Sequence, residues 1–453
     1  MVRSRSLLAC CFCLALAPLT ATAWDADLLL AAEARHFYHQ DDDGTSWSLA
    51  AQPRLFHDWN RRRDRIEAEL FYRHDSQDDR RSHGDVRSLY YQHIARDWEA
   101  SVGLRRVYWG VTESRHLVDI INQSDLVEDL DAEQKLGQPM LTLTLIRDIG
   151  NFDFFIMPYQ RARTFPGPDG HPRIPLPVDT ASARYESDDG QEHVDYAIRW
   201  RTRSGGLDFN LHVFDGTARE PDMLPCLAQG SDFNDTMYGP NCDLEAAIAP
   251  PSQPLRDRVI DLLQILGLAP SDAELEQAYL ETVMPEVLAN LVLVPDYARL
   301  RQVGVDAQYI RGGWAWKLEA VLREQGGDNS VAAVAGFEYT FSDFAGRGWD
   351  VGGLFEYLYD EQETLLSARS DDDLFLGLRV GFNDVASSQL LAGFFFDRDS
   401  GKDHLVQIEA SRRIGANWRA ALKARHFEQV PGDSLTGFLD DEDMVSLTVE
   451  RYF

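Results

Sequence analysis

DMVSLTVERYF, from Asp443 to Phe453, is the stretch on which the fold turns. Val445, Leu447, Val449 and Phe453 stand two or four residues apart, with Ser446, Thr448, Glu450 and Tyr452 between them. That is the period of a strand with one apolar and one polar face. Arg451 breaks the apolar face near its end, where a long aliphatic stem lets the guanidinium reach water beyond an apolar layer.

The same pattern recurs upstream. In DRIEAELFYRH (64–74), Ile66, Ala68, Leu70 and Tyr72 oppose Glu67, Glu69 and Arg73; in HVDYAIRWR (193–201), Val194, Tyr196, Ile198 and Trp200 oppose Asp195, Arg199 and Arg201. Further strands are expected near 27–38, 46–57, 86–95, 98–108, 139–147, 152–160 and 207–215. A regular series then runs from VGVDAQYI to the terminal strand, giving about 18 in all, an even number. Short connections (HDWNRRRD, IARDW, RDIGN, SGG, RGGW, SDFAGRG, NDVASS, RIGAN) alternate with long or acidic ones, and Trp59, Trp98, Trp200, Trp314, Trp316, Trp349 and Trp418 lie in or beside the short ones.

Strands of this kind, turns that alternate in length and a last strand ending on Phe resemble the outer-membrane β-barrels of Gram-negative bacteria. The resemblance implies an all-β, transmembrane, antiparallel up-and-down barrel of porin-like type. Both termini and the short turns would be periplasmic, with a periplasmic Trp girdle. It also implies contact with outer-membrane lipid and lipopolysaccharide, and recognition of the C-terminal strand by the barrel assembly machinery. VYWGVTES, INQSDLVEDL and KLGQPM, with VPDYARLRQVGVDAQY further on, are similar to segments of a group of large proteobacterial barrels; that likeness names no substrate. The alginate-export porin is similar in architecture alone.

At the other end, Arg3 and Arg5 precede the apolar run LLACCFCLALAPL and an A-x-A-like site before Trp24, so residues 1–23 read as a secretory signal peptide and 24–453 as the barrel. The apolar run is too short for a membrane-spanning helix, which needs about 20 residues. Cys10, Cys11 and Cys13 leave with the signal, and Cys226 with Cys242 suit one disulfide in an oxidising compartment better than a metal pair. A formal charge of −30 over 453 residues excludes nucleic-acid binding through a basic surface.

Two connections stand apart. Residues 109–138 form the third outward loop, the one that folds into the lumen of general porins, so the resemblance makes them a constriction loop. On loop position alone, Arg105, Arg115, Asp119, Asp125 and Glu128 are the candidate constriction residues. Residues 216–299 are too long for a structureless connection. Helices are expected there after Pro254, with an apolar stripe of Val259, Leu262, Leu263 and Leu266, and from a capping box at Ser271–Glu274 toward Asn290. This partly helical extracellular loop would cap the barrel or plug it.

Alternation points Glu67, Glu69, Arg73, Glu99, Arg105, Asp195, Arg199, Arg201, Asp306, Lys317, Glu319, Arg323, Glu409, Arg413, Arg419, Lys423 and Arg425 inward. A charge on the lipid face near the bilayer midplane costs about 2–4 kcal/mol, so the charged face is the lumen. Such a lumen is either a hydrated channel or a salt-bridged filling. The acidic runs Asp41–Asp43, Asp78–Asp79, Asp188–Asp189, Asp371–Asp373 and Asp441–Asp443 fall in outward loops. They are solvated loop charge or loop-bound Ca²⁺ or Mg²⁺ sites; none has EF-hand spacing. No cofactor is expected. Ser114 and His116 supply the residue types of a lipid hydrolase, but no nucleophile elbow, H-E-x-x-H or phosphate loop is present. The function expected is an outer-membrane channel for passive diffusion of small polar or charged solutes, rather than an enzyme. A plugged structural or surface-binding barrel and a lipid hydrolase are the alternatives.

Overall fold

The computed structural model describes residues 24–38, 44–174, 176–228, 240, 242, 290–362, 372–398, 404–428, 439 and 442–453. The first ten strands are β1 (Asp25–Phe37), β2 (Thr45–Trp59), β3 (Asp64–Asp75), β4 (Gly84–Ile94), β5 (Trp98–Arg105), β6 (Gln138–Arg147), β7 (Gly150–Met157), β8 (Arg184–Tyr185), β9 (Asp195–Ser204) and β10 (Leu207–Thr217). Then follow β11 (Asp222–Leu227), β12 (Leu291–Tyr297), β13 (Arg299–Arg311), β14 (Trp314–Gln325), β15 (Asp328–Phe344), β16 (Trp349–Asp360), β17 (Asp373–Gly381), β18 (Gln389–Asp397), β19 (His404–Ile414), β20 (Trp418–Glu428) and β21 (Met444–Tyr452).

Eighteen of these form one antiparallel sheet in chain order, with β7 beside β9 and β10 beside β13. It closes on itself where β1 pairs with β21, from Leu29↔Tyr452 to Phe37↔Met444. Closure leaves this sheet no open edge among the described residues, so each of its eighteen strands is paired on both sides, as an apolar solvent demands. The alternation follows the sequence: Glu67 and Glu69 are buried inside, while Leu70 and Tyr72 are 46% and 56% exposed outside. On the last strand Ser446 faces in and Leu447 out.

Trp59, Trp98, Trp314, Trp316 and Trp418 are exposed beside turns 60–63, 95–97, 312–313 and 415–417, all at one end of the barrel. Arg451 is held in this belt, its guanidinium 4.3 Å from the Phe453 ring centroid and 5.2 Å from that of Trp418. Cation–π contact of this kind satisfies a charge at the edge of an apolar layer. The opposite end carries the long connections, with one exception: Gly326-Gly327, with φ of +58° and +91°, joins β14 to β15 in a tight hairpin that only residues without a Cβ form easily.

The inside is not a smooth tube. β5 stops at Arg105, short of the expected 108, and residues 106–137 leave the wall and run through the interior. Trp109, Leu117, Val118, Ile120 and Ile121 are buried there against inward-facing Met140, Phe155, Ala197, Phe214, Val321 and Leu354 of the wall. The lumen face thus has an apolar sector matched to an apolar loop, and burying these side chains contributes about 1.5–3 kcal/mol each.

A second layer sits at the long-connection end. β11 pairs antiparallel with β12, and β12 parallel with β8, in a three-stranded sheet. Leu126 of the inner loop, Phe165, Val178 and Leu293 of β12 pack into one cluster. Cys226, on β11, is bonded to Cys242. The signal peptide, the helices expected after Pro254 and from Ser271, and the acidic residues Asp41–Asp43, Asp371 and Asp441 lie outside the described residues.

Candidate functional site

The inner loop is fixed at four places, one at its own base and three against the wall. Its base is tied by Asn122, which accepts from Val107 N at 2.8 Å and donates to the Arg105 and Leu136 carbonyls, both at 2.8 Å. The chain then turns at Gly110, φ +119°, where a Cβ would lie 2.7 Å from His116 Nδ1 and 2.8 Å from Glu319 Oε1. Only glycine permits that approach.

Across the lumen, two fully buried glutamates receive the loop. Glu319 of β14 accepts from Val111 N at 2.7 Å, Thr112 N at 3.0 Å and Thr112 Oγ1 at 2.6 Å. Glu356 of β16 accepts from Glu113 N at 2.9 Å, Ser114 N at 2.8 Å and Ser114 Oγ at 2.6 Å. Successive backbone N–H groups make a concavity suited to an anion, and here each carboxylate fills one. Beside them Arg115 pairs with Asp360 at 3.1 Å, and Arg379 with Glu113 at 2.6 Å.

On the opposite wall the third attachment is to β3 and β4. The β3–β4 register shifts between Glu69 and Leu70, which pair with Ser88 and Val86, so the extra residue Arg87 is turned inward alongside Ser88. Arg87 reaches Asp125 at 2.6 Å, and Arg73 reaches Glu128 at 2.8 Å and Glu33 at 3.0 Å. Arg81 continues the network to Glu33 at 2.7 Å and Asp75 at 2.6 Å. Burial would raise the Asp125 carboxyl, but hydrogen bonds from His83 and Thr164 and the Arg87 charge bring it down to about 2. Burial works against the charged form of His83, and its bond to Asp125 outweighs that and raises it.

The fourth attachment is to β20. Asp129 pairs with Lys423 at 2.6 Å and Arg425 at 2.8 Å, and Asp131 pairs with the same lysine at 2.5 Å. Burial would raise both carboxyls; the two cations hold Asp129 low, while the neighbouring Asp129 charge adds to burial and keeps Asp131 high.

The other residues singled out by alternation are placed as follows. Glu67 pairs with Arg54 at 2.7 Å, Glu69 with Arg106, and Glu99 accepts from Gln92 at 2.5 Å. Arg105 stays against the wall, donating to Ser101 Oγ at 2.6 Å and lying 4.8 Å from the Tyr90 ring centroid. Arg199 pairs with Asp306 at 3.0 Å, Arg201 with Asp153, Arg323 with Asp360 at 3.1 Å, Arg419 with Glu450 at 3.3 Å, and Asp195 with Arg219 at 2.7 Å. Lys317 approaches Glu113 at 3.6 Å and Glu409 approaches Lys423 at 3.2 Å. Asp119 meets Lys135 at 3.6 Å, and Arg413 is exposed at the short-turn end.

Free space remains on one side. A cavity of about 480 Å³ lies between residues 128–134 of the loop and the wall of β1 and β17–β21. It extends from Phe37, His171 and Glu442 at the long-connection end to Gln389, Arg419 and Glu450 near the short turns. At the first of these ends His171 stacks on Phe37, ring centroids 3.5 Å apart, and pairs with Glu442 at 2.8 Å. Arg173 N also donates to Glu442, at 2.7 Å.

Glu356, Asp129, Asp131, Arg87 and His171 are residues that sequence reasoning does not single out. Glu356 sits in LFEYLYD as a lone acid between apolar inward positions, a signal that alternation alone does not rank. Arg87 faces inward only through the bulge. Ser114 donates its hydroxyl hydrogen bond to Glu356, and His116 is held between Glu133 at 3.5 Å and Glu319 at 3.8 Å, so the two do not form a nucleophile–base pair. His83, Asp125 and Glu128 present ligand atoms within 4.8 Å of one another. Arg73 and Arg87 already neutralise the two carboxylates, which makes the cluster a poor host for a cation. Asp78 is a structural acceptor for Arg80 N at 2.8 Å and Gly167 N at 3.1 Å.

No protein-family model matches the chain, and no curated protein matches it. Among solved structures it is similar to a mutant of the porin from Rh. blastica, at 10% identity over 95% of this chain and 100% of that one, TM-score 0.41. It is also similar to OccK3 (OpdO) of Pseudomonas aeruginosa, at 9% identity over 95% of each chain, TM-score 0.49.

Proposed function

We propose that the protein is a porin-like channel of the bacterial outer membrane, exported by cleavage of residues 1–23, through which small polar or charged solutes diffuse passively. The observation that carries this reading is the charged cavity beside the inner loop, which follows the wall along most of its height. A solute would enter past His171 and Glu442, pass between Asp129–Asp131 and Lys423, and leave past Arg419 and Glu450. Glu128 and Asp125 serve this path by fixing the loop to Arg73 and Arg87, Arg115 by fixing it to Asp360, and Asp119 by bracing it internally against Lys135. The exposed apolar outer face supports contact with lipid and lipopolysaccharide, and the terminal strand supports handling by the barrel assembly machinery.

A plugged barrel is the second reading, favoured by the salt bridges from Lys423 to Asp129 and Asp131 that cross the cavity. Single-channel recording of the refolded protein in planar bilayers separates the two. Discrete conductance steps are expected. A barrel silent both as the mature chain and after deletion of 109–137 refutes the channel.

A further inference from the structure

We infer that this passage takes cations in preference to anions, that its narrow point is shaped for a primary ammonium group, and that Lys423 is a tethered occupant of that point. The inference rests on the channel reading above and names its solute class.

The first ground is charge. The cavity lining holds eight carboxylates against five lysine and arginine side chains; Arg73 and Arg81 from outside it neutralise Glu128 and Glu33, while Arg35 and Arg379 of the lining are taken up by Asp75 and Glu113 outside it, so a surplus of three negative charges stands. Its bases are committed: Arg379 to Glu113, Arg419 to Glu450, Arg425 to Asp129 and Arg35 to Asp75. The surplus is on the accessible side, where the Glu133 and Glu409 side chains are 58% and 40% exposed. In a confined space with low-dielectric walls, a surplus of one sign concentrates the opposite ion.

The second ground is geometry. Lys423 Nζ lies 2.6 Å from Asp129, 2.5 Å from Asp131 and 3.2 Å from Glu409. An ammonium has three N–H donors and no acceptor, and here three separate carboxylates each offer one oxygen to it. Ca²⁺ would call for six to eight oxygens and Mg²⁺ for a near-octahedral set, roughly twice what converges here. The seat matches an R–NH₃⁺ group, and an R–NH₃⁺ group of the chain's own fills it. A diffusing amine can exchange with it: as the lysine stem swings into the cavity, the incoming ammonium takes over the same acceptors, and no carboxylate is left unpaired during the exchange.

The test uses the mature chain in planar bilayers. In a KCl gradient the wild type should show a reversal potential of cation-selective sign. Lys423→Met keeps the unbranched stem, one atom shorter, and removes the charge; it should raise the K⁺ to Cl⁻ permeability ratio. It should also be blocked by propylammonium at several-fold lower concentration than by tetramethylammonium, which has the charge without N–H donors. Glu409→Gln, a substitution at a half-exposed side chain that leaves the barrel intact, should weaken the propylammonium block. An anion-selective wild type overturns the inference, as does a Lys423→Met channel that the two amines block equally. A conducting barrel with the wrong preference leaves the channel reading standing; a barrel silent in every form, including one lacking 109–137, removes both.

Discussion

Replacing Glu356 with Ala removes the acceptor of three loop donors, Glu113 N, Ser114 N and Ser114 Oγ, at 2.6–2.9 Å. Hydrogen bonds to a charged group contribute about 1.5–3 kcal/mol each. Water reaches the freed donors once the tip is released, so the low end of the range applies, and the three together amount to about 4 to 5 kcal/mol. That corresponds to about a thousand-fold shift in the equilibrium between docked and released loop tip. The barrel's backbone ladder is untouched, since the residue's own pairing to Gly336 and Phe375 involves main chain only. Hydrogen exchange followed by mass spectrometry on peptides covering 111–118 is the direct assay, with strand peptides as internal reference. Expected are faster exchange at 111–114, unchanged exchange in β13–β16, and noisier current with a larger mean conductance. Glu356→Gln, which keeps one acceptor oxygen, should fall between. Unaltered protection at 111–114 in the alanine variant would refute the view that this carboxylate holds the loop.

Two further predictions concern the same loop. Gly110→Ala places a Cβ 2.7 Å from His116 at φ +119°, a conformation costing about 1–3 kcal/mol for a residue with a side chain, and should make the loop more sensitive to limited proteolysis without lowering the melting temperature of the barrel. His116 is disfavoured as a cation by burial, but its bonds to Glu133 and Glu319 outweigh that and raise it from 6.5 to about 10. Because the docked form holds the proton more tightly, its contribution to docking is fully present below pH 6.5 and is lost as pH rises through about 10. Proteolysis of the loop should therefore accelerate between those values, and His116→Gln should abolish the dependence; a flat profile in the wild type counts against the ion pair.

Most of the wall is legible because its signal is local. Alternation over a few residues suffices to place Leu70 outside and Glu69 inside, and the expected count of about 18 strands matches the closed sheet. Where the signal is not local, the sequence is silent. β8, β11 and β12 are short, and the last two contain Pro225 and Pro295, so they read as loop; they are strands because they pair with one another across distant parts of the chain. The entry of the third outward loop into the barrel is what the resemblance to general porins implies, but its partners are not implied by it. Glu319 is placed inward by period, yet only the fold brings it to the amides of Val111 and Thr112. Arg105, expected at the narrowing, is retained by Ser101 and Thr142 of the wall. Asp129 and Asp131, just beyond the expected Asp125 and Glu128, share Lys423 because the loop returns along β20 rather than along the middle of the barrel.

The fixing of the inner loop to Glu319 and Glu356 on one side and to Arg73 and Arg87 on the other leaves a slit, not a bore. One face of the slit is a hydrogen-bonded wall whose spacing cannot change without breaking strand pairs; the other is a belt held by side chains. On the channel reading, a passage bounded by one rigid wall and one side-chain-held belt would sort solutes by thickness more than by diameter. The gap is set by how far these side-chain attachments let the belt stand off the wall, so substitutions at them change its width while the outer surface stays the same.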